Sequence, residues 1–357
     1  MSLTRFEQFM TGFLDNRVPT NLERVHCVCD YQCWDETHAL MGWLDRVVLL
    51  MPLQIRIFTR GTGNSLDMPG LVFSCASLQH LLLSINPDFS PMKTIISPIS
   101  INLPSLKLLE LIRVELPNDF ARKLSMGCSS LERLILRGCE LNFSDISSEV
   151  LKELSLYDCC LYEQMQISCP ALVSLFMRVY LLKNGFSLKN MTSLVNAVIK
   201  LSRNRWYYFN DDDVPVLNLF GGLSNVTNLE LCLHFPKLKE QLEKDIPNCR
   251  NFNNLKKLVV GGWDMIDDFY LIACLLKCSP NLKELILVFS ESQSERQEPP
   301  QEVSGDVLFQ HEYLETVKIS HVYGGICGQS KLSSELINAM IKMLGSYVKK
   351  IGNVIIT

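Results

Sequence analysis

The feature that most constrains the fold is a short apolar pattern, L-x-x-L-x-L, which recurs ten times with related apolar residues allowed in place of leucine. One copy, "LERLILRGCEL" at 131–141, has the spacing of a short strand that runs into a turn at Gly138. The starts of successive copies lie 20 to 32 residues apart, and they fall at residues 78, 106, 131, 151, 172, 194, 226, 255, 282 and 314. Such recurrence predicts stacked units rather than a set of unrelated domains.

The longer pattern L-x-x-L-x-L-x-x-C-x-L also matches the leucine-rich-repeat consensus. Between the repeats, segments 116–127 and 267–278 have helical spacing, whereas 147–150 and 165–168 leave room only for an extended or short 3₁₀ return. We therefore predict an α/β leucine-rich-repeat solenoid, or horseshoe, with a parallel concave sheet and a mixed helical and irregular convex side.

Composition favours a reduced, intracellular, globular chain. The 357 residues carry a formal net charge of −4, which does not favour a nucleic-acid partner. Fourteen cysteines are too few for a secreted disulfide scaffold, and the first residues lack the pattern of a signal peptide. The apolar stretch at 47–58 is too short to span a bilayer. We expect a cytoplasmic and/or nuclear location, with no membrane and no nucleic acid as partners.

The segments "LPSLKLLELIRVEL", "CSSLERLILRGCEL", "VLKELSLYDCCL" and "CPALVSLFM" resemble the plant F-box/leucine-rich-repeat family, notably its cereal members. The ending from Tyr313 is similar to the FBD-type tail of that family, and "RFEQFM" resembles the helix that follows its F-box. The expected organisation is an N-terminal helical and strand cap at 1–60, repeats at 61–290, a polar loop at 291–306, and a last repeat with an FBD-like C-terminal cap at 307–357.

Members of that family begin with an F-box, a helical segment that docks on the Skp adaptor of a cullin ubiquitin ligase. Met1 stands where that box would already have ended. The resemblance implies a protein-interaction module, with substrate recognition for a cullin-RING ligase and a Skp-type adaptor as partner only if an F-box exists upstream. The alternatives are a small-molecule-sensing module and a detached fragment without the F-box that acts as a stand-alone binder.

Signals for catalysis or cofactors are weak. Cys27, Cys29 and Cys33 lie near two histidines, but no second C-x-x-C pair follows. The segment "GTGNS" at 61–65 lacks the lysine of a P-loop, and "NDDD" at 210–213 lacks the glycine and glutamate of an EF-hand. No G-x-S-x-G sequence is present. We expect no enzyme, no cofactor and no metal.

Partner-binding residues follow from the alternation of side chains along a strand. The leucines of each repeat point into the core, so the intervening residues project from the concave sheet. Arginine and tyrosine are frequent anchors of protein interfaces. The alternative is a solvated face on which Arg133, Arg137 and Glu153 balance one another. The predicted contact residues for a protein partner are Arg133, Ile135, Arg137, Glu153, Tyr157, Phe176, Arg178 and Lys200.

Overall fold

The structure is a computed structural model of the chain. It describes residues 8, 11–13, 16, 22–31, 42–61, 70–86, 94–181, 185–203, 215–233, 236–246, 251–262, 270–290, 311–322 and 334–357. The chain divides into two compact units, Met1–Glu163 and Gln164–Thr357, and each is described by itself. No helix in the described ranges is both long and apolar enough to cross a bilayer.

All ten copies of the pattern form strands. The strands of the first unit are β1 (Arg24–Tyr31), β2 (Gln54–Gly61), β3 (His80–Asn86), β4 (Thr94–Ile95), β5 (Leu108–Ile112), β6 (Val114–Leu116), β7 (Arg133–Arg137), β8 (Glu140–Leu141), β9 (Asp145–Ser147) and β10 (Glu153–Leu161). Those of the second unit are β11 (Met165–Ser168), β12 (Ser174–Leu181), β13 (Phe186–Lys189), β14 (Asn196–Arg203), β15 (Leu217–Asn218), β16 (Asn228–Leu233), β17 (Lys257–Gly262), β18 (Glu284–Ser290), β19 (Leu314–Val322) and β20 (Ile351–Ile356).

The principal strands of each unit pair in parallel. In the first unit the order is β1, β2, β3, β5, β7, β10, and in the second it is β12, β14, β16, β17, β18, β19, β20. The return side of the first unit carries α1 (Phe120–Gly127), and that of the second carries α2 (Pro236–Asp245), α3 (Tyr270–Cys278) and α4 (Ser334–Tyr347). The extended returns β11, β13 and β15 pair with one another in parallel. The α/β repeat fold, with its mixed return side, is therefore confirmed within each unit.

The repeat leucines form buried columns across the paired strands. In the first unit one column consists of Ile55, Leu81, Leu109, Leu134 and Leu154, all at most 3% exposed. Cys139 and Cys159, at the cysteine position of the repeat consensus, are also fully buried. Their thiols donate to the carbonyl oxygens of Leu111 and Leu136, each at 3.4 Å. The prediction that the leucines of each repeat point into the core is confirmed for these strands.

A left-handed backbone position follows the ends of β5 and β7 and falls at the corresponding point inside β10. Arg113, Gly138 and Asp158 have φ angles of 59°, 58° and 53°, and they directly follow Ile112, Arg137 and Tyr157, which lie side by side in the sheet. The amide of Arg113 donates to Arg137 O at 2.8 Å, and the amide of Gly138 donates to Tyr157 O at 2.6 Å. Glycine adopts this conformation without a steric penalty, which explains the turn predicted at Gly138.

Strands outside the ten copies of the pattern lie at the start of the first unit and at the end of the second. In the first unit β1 pairs with β2 and β2 pairs with β3, all in parallel, and in the second unit β20 pairs in parallel with β19. Strands β1 and β2 lie within the range of the predicted N-terminal cap or at its boundary, and β20 lies within the range of the predicted C-terminal cap. The first residues of the 1–60 cap and the polar loop at 291–306 lie largely or wholly outside the described residues.

Candidate functional site

The face of each sheet opposite the leucine columns is called here the open face. On β7 it carries Arg133, Ile135 and Arg137, and on β10 it carries Glu153 and Tyr157, which are aligned by the register of the two strands. These side chains are half-buried or exposed, whereas the leucines between them are buried. The alternation predicted from the sequence therefore places all five on one side of the first unit.

Arg137 links three adjacent strands of this open face. Its Nε donates to Glu110 Oε1 on β5 at 2.9 Å, and its guanidinium carbon lies 4.2 Å from the ring centroid of Tyr157 on β10. Glu110 is 17% exposed at its side chain, whereas Arg137 remains 42% exposed. Because the ion pair and the aromatic contact fix the guanidinium in place, Arg137 is ordered before a partner arrives yet still accessible.

Arg133, Arg137 and Glu153 do not form ion pairs with one another. The carboxylate that pairs with Arg137 is Glu110, one strand earlier. Arg133 and Glu153 are register neighbours, but no described carboxylate lies within 4 Å of the Arg133 guanidinium. Glu110 was not among the predicted residues, although the same alternation applied to "LKLLEL" would have found it.

A second group on the same face surrounds His80 on β3, and of its members only Arg133 was predicted. Gln54 Nε2 lies 2.5 Å from His80 Nδ1, and because the amide nitrogen must donate, the ring accepts at Nδ1 and carries its proton on Nε2. Burial lowers the pKa of His80, and the charges of Arg133, Arg56, Lys107 and Arg24 lower it further. The imidazole is therefore neutral and surrounded by cations.

The open face of the second unit holds the remaining predicted residues. Phe176 and Arg178 lie on β12, and Lys200 lies on β14 directly beside Arg178. Lys200 Nζ is 2.6 Å from Glu230 Oε1 on the next strand. Phe176 is half-buried and Arg178 is exposed. Lys200 is thus engaged within the unit rather than presented alone.

Farther along the same face, Glu284 bridges two lysines. Its Oε2 is 3.2 Å from Lys257 Nζ, and its Oε1 is 2.6 Å from Lys318 Nζ. The hydrogen bond from Lys318, followed by that from Lys257, holds the pKa of Glu284 below its ordinary value. Both lysines thus share the carboxylate of Glu284.

Within the described residues no three His, Cys, Asp or Glu side chains converge as ligands for a metal ion. Cys33, His38, residues 62–65 of the "GTGNS" segment and the "NDDD" segment lie outside the described residues. Burial raises the pKa of both Cys128 and Cys232 to about 12, so these thiols are protonated and poor nucleophiles.

A cavity in the first unit lies on the return side of the sheet, away from the open face. It has a volume of about 30 Å³ and is lined by Phe120, Leu124, Cys128, Leu134 and Phe143, among others. Such a volume holds water rather than an organic ligand. This cavity therefore gives no support to the small-molecule alternative on the concave sheet.

Comparisons with known proteins agree with this architecture. A family model described as "FBD-associated F-box protein At5g56370, LRR repeats" matches residues 40–198. The chain is 27% identical over 261 residues to F-box/FBD/LRR-repeat protein At4g26340 of Arabidopsis thaliana. The matched region covers 69% of this chain and 54% of that protein. The chain is also 27% identical over 393 residues to F-box/LRR-repeat protein 13 of Arabidopsis thaliana. That matched region covers 98% of this chain and 80% of that protein.

The chain therefore spans about half the length of the first of these relatives. No solved structure gives a significant match.

Proposed function

We propose, from the similarity of the chain to the F-box/FBD family of leucine-rich-repeat proteins, that it recognises a protein partner with the open face of its first unit. Repeat modules of this family are generally interaction modules rather than enzymes. The single observation that carries the proposal is the contact of Arg137 with Glu110 and Tyr157 across three strands.

This arrangement has the physical properties of an interface anchor. A free arginine side chain loses about 2 kcal/mol of rotamer entropy when it becomes ordered. Here Glu110 and Tyr157 have already ordered the guanidinium, and 42% of the Arg137 side chain stays accessible. A partner therefore gains planar, directional hydrogen bonds at a reduced entropic cost. Ile135, half-buried on the same strand, adds an apolar contact beside the charged group.

The experiment is affinity capture from a plant extract with the whole chain and with the double variant Arg137→Ala/Tyr157→Ala. We expect at least one protein retained by the wild-type chain to be lost from the double variant. For the purified chain and its captured protein, loss of an anchor residue that contributes about 2 kcal/mol raises the Kd by about 30-fold. Lys257→Ala is the matched control, because it removes an open-face cation that Glu284 already engages.

Circular dichroism and thermal unfolding must show that the double variant is folded. Capture that is equal for the wild-type chain, the double variant and Lys257→Ala would refute the assignment of the binding face. Failure of the folded wild-type chain to retain any protein would refute the recognition role itself.

We propose further that the captured protein is a substrate of a cullin-RING ubiquitin ligase when the repeats occur in a chain with an F-box. The support is the F-box in the printed names of both relatives. A Skp-type adaptor should copurify with a product that carries an F-box upstream of Met1, and this chain alone should not retain it. Retention of the adaptor by this chain would contradict that division of roles.

A nuclear or cytoplasmic location is part of the same proposal. The ten cysteines whose side chains the structure describes are free thiols, and eight of these are buried. Free thiols in a packed core are typical of reducing compartments. A fluorescent fusion in plant cells should label the nucleus or the cytoplasm, and a secreted fusion would contradict the proposal.

A further inference from the structure

The first unit has positive charge on and beside its open face that no described carboxylate matches. Arg56 lies on β2, Arg133 lies on β7, and Lys107 directly precedes β5. Within the described residues no carboxylate lies within 4 Å of any of these three side chains. Arg24 on β1 is nearby, with an exposed contact of 3.6 Å to its sequence neighbour Glu23. We refer to Arg24, Arg56, Lys107 and Arg133 as the basic patch.

His80 shows that these four charges act on one place. All four lower the pKa of the same imidazole, in addition to the effect of burial. His80 lies beside Gln54 on β2 and beside Leu108 on β5, so it sits between Arg56 and Arg133. Positive charges that converge on a neutral, half-buried ring create a local site of positive potential.

The second unit provides the contrast. Its open-face lysines Lys200, Lys257 and Lys318 each have a carboxylate partner at 2.6 to 3.2 Å. Both open faces thus contain ion pairs, such as that of Arg137 with Glu110 in the first unit, but Arg56, Lys107 and Arg133 of the first unit have no described carboxylate within 4 Å. Because unmatched charge of one sign is complementary to a ligand of the other sign, the basic patch calls for an anionic partner.

Apolar side chains between the cations define the kind of anion. Leu82 is the register neighbour of Arg56, and Leu108 is the register neighbour of Arg133. Both leucines are half-buried, so they offer apolar contact between the charges. An extended peptide alternates its side chains with a period of two residues, which allows carboxylates and apolar groups to meet such a mixed surface.

We propose that the basic patch binds an extended segment of the partner protein in which Asp or Glu alternates with apolar residues. This inference rests on the proposed recognition function and names the chemistry of the partner. From β1 to β7 the patch crosses four strand spacings of about 4.8 Å, or about 19 Å. An extended peptide of about six to eight residues covers that distance. The chain as a whole carries a net charge of −4, which disfavours a long nucleic acid.

The test uses a fluorescein-labelled peptide of about eight residues with alternating Glu and Leu, titrated with the full chain and followed by fluorescence anisotropy. We expect saturable binding that weakens as sodium chloride is raised. The double variant Arg56→Gln/Arg133→Gln should bind at least about tenfold more weakly. Lys257→Gln, from the matched face of the second unit, should bind as the wild type does. A Gln/Leu peptide should not bind.

His80 provides a readout that is independent of affinity. Negative charge beside the ring favours its protonated form, so the peptide should raise the pKa of His80 in an NMR titration of the histidine ring protons. The other groups that face this ring are Gln54, Arg24, Arg56, Lys107 and Arg133.

Three results would overturn the inference. The first is that the Glu/Leu peptide shows no saturable binding to the wild type, and the second is that it binds the double variant as tightly as the wild type. The third is that the wild type binds a phosphopeptide or an oligonucleotide of equal charge more tightly than it binds the Glu/Leu peptide. The recognition function is tested separately. If Arg137→Ala/Tyr157→Ala abolishes capture of a protein that Arg56→Gln/Arg133→Gln still retains, the recognition function stands and the acidic-peptide inference fails.

Discussion

Gly127, the last residue of α1, packs against the backbone of the segment that leads into β5. A Cβ atom at this position would lie 1.9 Å from the carbonyl oxygen of Ile101 and 2.5 Å from its carbonyl carbon. The amide of Leu103 donates to Gly127 O at 2.8 Å. Because the obstacle is backbone rather than a flexible side chain, Gly127→Ala must displace residues 101–103 from the end of the helix.

Two effects add to the cost of that displacement. Overpacking of a filled site costs about 1 to 3 kcal/mol, and loss of the hydrogen bond from Leu103 costs about 1 kcal/mol. Ile101 and Leu103 are 7% and 1% exposed, so their shift also disturbs the core. We expect Gly127→Ala to reduce the free energy of unfolding by about 2 to 4 kcal/mol.

Urea denaturation followed by circular dichroism measures this change as a fall in the apparent midpoint. The matched control is Gly345→Ala in α4, where a Cβ meets nothing within 4 Å. In a helix, alanine is favoured over glycine by up to about 1 kcal/mol, so the control should be neutral or more stable. A midpoint for Gly127→Ala at or above the wild-type value would refute the argument.

Two further predictions concern ionisable groups. With pKa values of about 12, Cys128 and Cys232 are about one part in ten thousand thiolate at about pH 8. Peptide mapping should therefore find both unmodified after iodoacetamide treatment of the native chain and modified in urea, whereas full native labelling would contradict their burial. Because the pKa of Glu284 in the folded chain is below its ordinary value of 4.5, the group contributes stability above that value and loses it as the pH falls through its folded pKa. Lys318→Met should therefore lower the urea midpoint at neutral pH by the equivalent of about 0.5 kcal/mol. That difference should shrink in acid, and a difference of unchanged size there would contradict the explanation.

The strands were predictable because the repeat core has a strict chemical requirement. A strand whose alternate residues are buried between parallel neighbours needs Leu, Ile or Val at fixed intervals, so each copy of L-x-x-L-x-L identified one. Strand β2 is not among the ten copies because Pro52 stands at its first apolar position. In β20 the three apolar positions hold Ile351, Val354 and Ile356, so this strand keeps the pattern although it was not counted among the ten. Pairing with β3 outweighs the local departure in β2.

The candidate site was predictable only in part. Alternation along a single strand placed Arg137 and Tyr157 on the open face. It did not predict which carboxylate would form an ion pair with Arg137. That choice depends on the register between β5 and β7, which sets Ile112 beside Arg137 and brings Glu110 within reach. Of the basic patch only Arg133 was predicted, because its members are more than twenty residues apart in sequence. Only their pairing in the sheet makes them neighbours.

The left-handed positions at Arg113, Gly138 and Asp158 have a consequence for protein engineering. They mark the point on three neighbouring strands where the chain turns away from the open face. The outward residues before this point contribute little to the leucine core, so they can be exchanged without altering the turn or the columns behind it. The first unit is thus a scaffold onto which a different binding specificity can be grafted one strand at a time, with the turn residues kept as fixed boundaries.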